Sequence, residues 1–328
     1  MAEPLLEVEG LVKHFAGPGA FFSRGASPVR AVDGVSFSID EGMTFALVGE
    51  SGCGKTTVAK MILLLERPTA GVIRFRGQDV HRLRGHNLHE YKRRVQAVFQ
   101  DPYSSLNPRM QVLDIIGEPL QVHEGLGGST LRRRVGELLE NVGLSPVTGA
   151  FYPHQFSGGQ RQRIAIARAL ALQPKLIVLD EPVSGLDVSI RAQILNLLVD
   201  LQRNFGLSFL LISHDLAIVE HMSHMVGVMY VGKLVELAFK DELYTKTLHP
   251  YTKALLASVP QPDPDIPMGA PISGEVASPI NPPSGCRFHP RCPIYLETTL
   301  CRDLEPEWRE VKAGHWTACH KVEPAVVS

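Results

Sequence analysis

The 328-residue sequence contains no long hydrophobic run. Its longest apolar stretches, FALVG at 45–49 and LSFLLIS at 207–213, are strand-sized, well short of the ~18 residues that mark a membrane helix. Its first residues, MAEPLLEVEG, hold no apolar core of the kind a secretory leader needs. Neither sign of charge is in surplus: 33 Lys and Arg stand against 34 Asp and Glu, a formal net charge of −1. The basic runs Lys92–Arg94 and Arg132–Arg134 are short and read as solvated helix faces. The broad basic face of a nucleic-acid binder is therefore missing. No internal repeat is visible. These absences predict a soluble, cytoplasmic protein with no nucleic acid among its partners, one that works at a membrane only through other proteins. Cysteine is scarce as well, with five residues in all. Cys53 stands alone in a glycine-rich segment, where it reads as a small loop residue, though one whose position would make it oxidation-sensitive; Cys286, Cys292, Cys301 and Cys319 all fall in the last 43 residues.

What is present is an ordinary globular composition, 44% hydrophobic and 20% charged, on a chain long enough for one large domain and a smaller one. Residues 5–12 and 31–39 alternate as half-buried strands do, and AGPGAFFSRGASP (16–28) between them reads as a loop. MTFALVGE (43–50) is an apolar strand running into the glycine-rich segment, and TTVAKMILLL (56–65) is a helix leaving it. Residues 102–155 carry helical periodicity without a strong strand signal. Strands return at KLIVLD (175–180) and LSFLLIS, with helices at about 188–204 and 215–223, and VGVMYVGKLVELA (226–238) reads as a hairpin turning on Gly232. The pattern predicts an α/β core interrupted by a helical insert. Beyond Ser258, eight prolines in 27 residues (259–285) predict an extended linker leading to the cysteine-bearing tail.

Gly49-Glu-Ser-Gly-Cys-Gly-Lys-Thr56 fits the phosphate-loop pattern G-x-x-x-x-G-K-[ST] between a strand and a helix. In such a loop Gly49, Ser51, Gly52 and Gly54 let backbone N–H groups converge on phosphate, and the helix start through Thr57 favours the negative charge. Lys55 reaches the β- and γ-phosphates, and the Thr56 hydroxyl is a ligand for Mg²⁺. LIVLDEP (176–182) is a buried strand run ending in two acids: Asp180 can hold a Mg²⁺-bound water, and Glu181 can polarise an attacking water. Without a phosphate loop the same pair would read as a helix cap. FLLISHD (209–215) repeats the layout with His214, and VQAVF (95–99) brings Gln100 to a strand end, where it can reach the γ-phosphate through Mg²⁺ or water. Taken singly, His214 reads as a cap and Gln100 as a surface residue. FSGGQRQRIAIARAL (156–170) adds a second helix start suited to phosphate at Ser157, Gly158, Gly159 and Gln160.

In order, GESGCGKTT, Gln100, SGGQ, LIVLDEP, SGLD (184–187) and SHD resemble the ATP-binding cassette of ABC transporters. That resemblance implies a P-loop NTPase with a RecA-like core and a helical subdomain. It also implies a head-to-tail pair of cassettes with ATP between them, in which Ser157–Gln160 touch the γ-phosphate held by the partner's loop. Phe15 is then the residue that stacks on adenine, Asp187 bridges the pair near the other site, and His214 keeps the γ-phosphate and Glu181 in register. The loop after Phe15 is longer than in many cassettes. Phe156 replaces the commoner Leu and keeps the apolar anchor, while Gly185 replaces Ala and is expected to loosen its loop. With Glu181 in place, ATP hydrolysis is expected.

FQDPYSSLNPRM (99–110), LHPYTKALLASVPQPDP (248–264) and SPINPPSGCRFHPRCP (278–293) resemble one branch of that family, the ATPase subunits of bacterial oligopeptide and dipeptide importers, in the F-type that pairs with a D-type subunit. HPYT on bare chemistry is a helix start with Pro250 at its first position, or a plain loop-to-helix junction. The resemblance implies a cassette over 1–257, with a helical subdomain inserted at about 101–160, and a Pro-rich linker and cysteine tail over 258–328. It further implies a second ATPase subunit, two transmembrane permease subunits, an extracytoplasmic solute-binding protein, and a place on the cytoplasmic face of the membrane. Nickel, glutathione or sugar are alternative cargoes, and a non-transport ABC ATPase is a remoter reading, since neither a coiled-coil insertion nor a second cassette is present. The cysteines space as C-x₅-C-x₈-C-x₁₇-C. Structural zinc sites use shorter first spacings, and a reducing cytosol disfavours disulfides. Four thiolates can hold a [4Fe–4S] cluster, which the branch implies, with zinc or free thiols as the alternatives. Its expected role is to staple a tail with little apolar content.

Overall fold

Alternation of apolar and polar residues makes β1 (Leu6–Phe15) and β2 (Val29–Ile39), whose buried positions include Leu6, Val8, Leu11, Val32, Val35 and Phe37. A computed structural model describes residues 3–17, 27–101, 105–258, 274–295 and 299–323. The loop read at 16–28, the FQDPYSSLNPRM segment and the linker read at 259–285 each lie partly outside the described residues. The chain forms two compact units, one of Met1–Ser38, Phe45–His81 and Ser213–Ser328, the other of Ile39–Thr44 and Arg82–Ile212.

In the first unit β3 (Thr44–Val48) is buried at every position, which is why it reads as an unbroken apolar run. The phosphate-loop segment follows it and leads into α1 (Lys55–Ile62). A hairpin of β4 (Ala70–Phe75) and β5 (Gln78–Asp79) then pairs with β1, Leu6 facing Phe75 and Val8 facing Ile73. This hairpin has no counterpart among the strands expected from the sequence.

The second unit takes up the chain at α2 (Gly85–Arg94) and β6 (Val95–Val98). Among the described residues three α-helices come next: α3 (Val112–Glu124), α4 (Gly128–Asn141) and α5 (Gly158–Leu170). On α4 the residues Leu131, Val135, Leu138 and Leu139 form one buried stripe, and Arg132 and Arg133 lie on the exposed side. β7 (Leu176–Asp180), α6 (Val188–Phe205) and β8 (Ser208–Ser213) complete this unit. β6, β7 and β8 run parallel, Val95 facing Leu176 and Leu176 facing Ser208, so their carboxyl ends share one edge.

Back in the first unit, α7 (Leu216–Met222) precedes the hairpin of β9 (Met225–Tyr230) and β10 (Lys233–Phe239), which turns at Val231 and Gly232 with φ of 42° and 80°. β9 pairs in parallel with β3. After α8 (Lys240–Thr245), α9 starts at Pro250 and runs to Ala257 as the HPYT segment predicts, with His249 Nδ1 accepting from the Tyr251 N–H at 3.1 Å. The tail holds α10 (Thr299–Asp303) and a last hairpin, β11 (Arg309–Lys312) and β12 (His315–Thr317); β12 adds antiparallel to β10. Phe288 buries its ring against Tyr230 and Tyr251, each at a centroid distance of 5.3 Å. Full burial of one such side chain is worth about 1.5–3 kcal/mol, which fastens the tail to its unit.

Candidate active site

The phosphate loop lies in the first unit, between β3 and α1. Two of its glycines are required by space: a Cβ at Gly49 would meet the Met229 carbonyl oxygen at 2.2 Å, and one at Gly54, with φ of 112°, the Ala31 carbonyl oxygen at 2.2 Å. Lys55 is buried and its ammonium donates to the carbonyls of Gly49 at 2.7 Å and Glu50 at 3.0 Å, which draws the loop into a ring. No side chain among the described residues caps α1, and its first turn carries no acid, so the positive end of its dipole lies at the loop. Ser51, Gly52 and Thr56 are exposed there and Thr57 is half-buried. Cys53 is buried, and burial pushes its thiol up against the pull of Lys55, which disfavours the oxidisable thiolate.

His214 directly follows β8 and is exposed, while the next residue, Asp215, caps α7 by accepting from the N–H groups of Ala217 (3.0 Å) and Ile218 (3.4 Å). The capping function thus falls to Asp215. Phe15 ends β1 half-buried, with the Lys13 ammonium 4.7 Å from its ring centre on one face.

In the second unit the shared edge of β6 and β7 gathers Gln100, Asp180 and Glu181. Gln100 Nε2 donates to Glu181 Oε2 at 2.8 Å. Asp180 is the buried last residue of β7. Glu181 takes a left-handed backbone, φ 49°, which is strained for a residue with a Cβ. Its N–H donates to the Ile212 carbonyl at 2.9 Å, and its own carbonyl accepts from Ser184 Oγ at 3.1 Å. The carboxylate is thereby aimed by its backbone and steadied by Gln100. Gly185 has φ of 73°, a conformation suited to glycine.

Ser157 caps α5: its Oγ accepts from the Gln160 N–H at 3.3 Å, and Gln160 Oε1 accepts from the Ser157 N–H at 3.0 Å. Gly159 approaches α6 so closely that a Cβ would lie 2.4 Å from Ile190 Cγ2, and Gly158 faces Leu186. Phe156 is buried as the apolar anchor, edge-on to Phe151. Asp187 stands exposed at the N-cap of α6. Ser157 and Asp187 present polar groups outward, away from any core.

Three of the tail cysteines, Cys286, Cys292 and Cys319, feel the others as neighbours. Burial, and then the neighbouring cysteines, push Cys286 up to about 11, and burial is the leading cause of the upward shifts at Cys292 and Cys319 as well. The Cys286 N–H donates to the Cys301 carbonyl at 2.9 Å. Among the described residues no group of three or more His, Cys, Asp or Glu is arranged to hold a metal ion.

Across its length the chain is 50% identical, over 322 residues, to the putative oligopeptide transport ATP-binding protein YkfD of Bacillus subtilis, covering 97% of this chain and 95% of that one. It belongs to the ABC transporter ATP-binding proteins. The probable peptide ABC transporter ATP-binding protein y4tS of Sinorhizobium fredii is 49% identical over 329 residues, 100% of this chain and 93% of its own. The oligopeptide transport ATP-binding protein AppF of Bacillus subtilis is 49% identical over 322 residues, 97% of each chain. The ABC transporter family model matches residues 32–184, and the model for the C-terminal region of oligopeptide/dipeptide transporters matches 235–298. Among solved structures, cbiO1 of Clostridium perfringens, part of the ABC transporter complex cbiONQ, superposes with a TM-score of 0.64 at 28% identity, over 75% of this chain and 92% of that one. The ATP-binding cassette MJ0796, solved as a dimer in a post-hydrolysis state with ADP and phosphate, gives 0.62 at 27%, over 72% and 98%. The fold is the ABC ATPase cassette, and the expected fold class and family both stand. No helix among the described residues is long and apolar enough to cross a membrane.

The sequence missed three residues of this cassette's phosphate loop and its surroundings. Glu50 is held from outside the loop by Tyr251 and Arg291, two residues of segments that the sequence marked only as signs of the branch.

Proposed function

We propose that this cassette is the ATP-hydrolysing motor subunit of a bacterial importer for oligopeptides or dipeptides. The observation that carries the motor reading is the Gln100–Glu181 contact of 2.8 Å at the strand edge, with Glu181 fixed by a strained backbone. Lys55 and the loop N–H groups of Gly49, Ser51, Gly52, Gly54, Thr56 and Thr57 bind and orient the phosphates. The oxygens of Thr56, Asp180 and Gln100 are the donor type Mg²⁺ takes, and the ion when bound neutralises charge developing on the phosphates. Glu181 accepts the proton of the attacking water, and Gln100 holds that carboxylate in place. His214 contacts the γ-phosphate, Phe15 stacks on adenine, and Ser157–Gln160 and Asp187 serve the nucleotide of a second ATPase subunit.

The cassette spans 1–257, with its helical subdomain at about 101–160, and works on the cytoplasmic face with two permease subunits and an extracytoplasmic solute-binding protein. Cys286, Cys292, Cys301 and Cys319 hold a [4Fe–4S] cluster, a reading supported by the all-thiol donor set and by the influence of neighbouring cysteines on Cys286, Cys292 and Cys319. Zinc is the alternative ion, and iron and sulfide analysis of the purified chain separates the two.

The test is ATPase activity of the assembled membrane complex, with and without solute-binding protein carrying short peptides. Stimulation by the loaded protein supports the proposal; an intact basal rate with no stimulation removes the peptide cargo. In the same assay Glu181→Gln lowers kcat by about 10²-fold or more while ATP binding persists. A variant that hydrolyses normally removes Glu181 from its role.

A further inference from the structure

Within the phosphate loop Glu50 is unusual, an acid in a segment that must receive a polyanion. Every polar group of this residue is engaged, and two of its partners come from the C-terminal part of the chain. Its carboxylate receives a fork from Arg291, Nη1 to Oε2 at 2.7 Å and Nη2 to Oε1 at 3.0 Å. Its N–H donates to the Tyr251 hydroxyl at 2.9 Å. Its carbonyl accepts from Lys55 Nζ at 3.0 Å and from the Cys53 N–H at 3.3 Å. Glu50 is therefore the joint at which the tail meets the lysine that addresses the phosphates.

The clamp is firmly built. Arg291 is buried, with Nη1 also 3.5 Å from the Tyr230 hydroxyl. It belongs to a tight turn between two of the tail cysteines: His289 N–H donates to the Cys286 carbonyl (3.0 Å), Arg291 N–H to Phe288 (3.0 Å) and Cys292 N–H to His289 (3.3 Å). Phe288 in that turn packs on Tyr251 itself. Arg287 pairs with Asp33 and donates to the Val231 carbonyl, which ties the other side of the turn to the sheet. Tyr251 is fully buried at the start of α9, and that start is pinned by Glu236, whose carboxylate accepts from the N–H groups of Leu248 (2.7 Å) and His249 (3.0 Å) and from His315 Nε2 (2.8 Å).

We propose that the turn Cys286–Cys292 and Tyr251 form a clamp on the phosphate loop, with Arg291 and Tyr251 as positioning residues for nucleotide binding and the tail thiols setting the order of the turn. Arg291 does two things at once. It fixes the loop's second residue, and it neutralises a carboxylate that would otherwise repel the incoming phosphates. A half-buried carboxylate beside the phosphate seat, stripped of its arginine, is worse there than no carboxylate, because its charge stays in place with no partner to balance it. This gives the clamp a signature that a general loss of stability lacks: removing Glu50 as well should repair the damage.

The inference rests on reading Gly49–Thr57 as the nucleotide seat. The experiment titrates the full chain, in Mg²⁺, with the fluorescent analogue N-methylanthraniloyl-ATP. Arg291→Met should weaken binding about 10-fold, Glu50→Gln/Arg291→Met should recover most of that loss, and Arg291→Lys should fall between wild type and Arg291→Met. Tyr251→Phe, which removes only the hydroxyl, should weaken binding about three-fold. Hydrogen exchange of the amides at 50–56 should quicken in Arg291→Met and in Cys286→Ser/Cys292→Ser. An unchanged affinity in Arg291→Met, or a double variant whose loss is the product of the singles, overturns the clamp. Unchanged exchange in the cysteine pair overturns the part given to the thiols. Lys55→Ala serves as the separate control: if that variant still binds the analogue, the nucleotide seat itself is misread, and not merely its clamp.

Discussion

His249 should make the hold on α9 sensitive to mild acid, and His249→Asn should remove that sensitivity. The imidazole is almost wholly buried, and its Nδ1 accepts a hydrogen bond from the Tyr251 N–H at 3.1 Å. An accepting nitrogen carries no proton, so this cap exists only in the neutral ring. Burial, opposed in part by the Glu236 carboxylate, pulls the ring's pKa from 6.5 down to about 4. Because the folded pKa lies below the unfolded one, the unfolded chain takes up the proton first as the pH falls. The stabilisation is complete above the unfolded value of 6.5 and drains away between there and about 4. A drop of roughly 2.5 pKa units at about 1.36 kcal/mol each puts the loss near 3 kcal/mol. Asparagine is a strong N-cap whose oxygen can accept the same bond, and it does not titrate. Urea unfolding of both proteins, followed through hydrogen exchange of the α9 amides from about pH 7.5 to pH 4, isolates the histidine from every other titrating group by difference. Wild type should lose about 3 kcal/mol more than the variant over that range. Parallel curves would refute the assignment of the cap to a neutral, buried His249.

Two further outcomes follow from packing and from the thiols. Gly227→Val should destabilise the first unit by about 1–3 kcal/mol in thermal melts, since even a Cβ there would meet Phe45 Cζ at 2.9 Å and Leu234 Cδ2 at 3.1 Å in the core between β3 and β9; an unchanged melt would show that this packing gives way easily. In the metal-free chain Cys286, with its pKa pushed up to about 11, should react sluggishly with iodoacetamide near pH 7.5 and quicken roughly tenfold per pH unit above it; rapid labelling at neutral pH, read by mass spectrometry, would contradict that shift.

Much of the core could be read in the sequence, for a physical reason. β3, β7 and β8 are buried on both faces, so each is an unbroken apolar run, and each ends at a motif whose spacing is set by phosphate chemistry. The turn at Gly232 and the start of α9 at Pro250 were legible because glycine and proline have few other uses in such places. The strands that escaped notice depend on distant partners, and all but β4 are short. β5 has two residues and β12 three, too few for any period to register, and β12 is held between β11 and β10, where it faces Glu236 and Leu237. The candidate site divides in the same way. Gln100 and Glu181 are each marked by what surrounds them, yet their contact spans 81 positions. Glu50 gives no local hint that an arginine 241 positions later will claim it.

The hairpin of β11 and β12 has a bearing on self-association. It closes the sheet at β10, a strand whose Leu234, Val235, Leu237 and Ala238 are all buried. Left bare, such a strand would present a row of unpaired N–H and C=O groups with apolar side chains, a template on which a second molecule could pair. The strand that takes the outermost place, Arg-Glu-Val-Lys at 309–312, is four residues long and carries three charges, a poor surface for further pairing. A chain cut before Arg309 would keep the phosphate loop, Glu181 and Gln100 but uncover β10, and its first failing would be aggregation, ahead of any loss of catalysis.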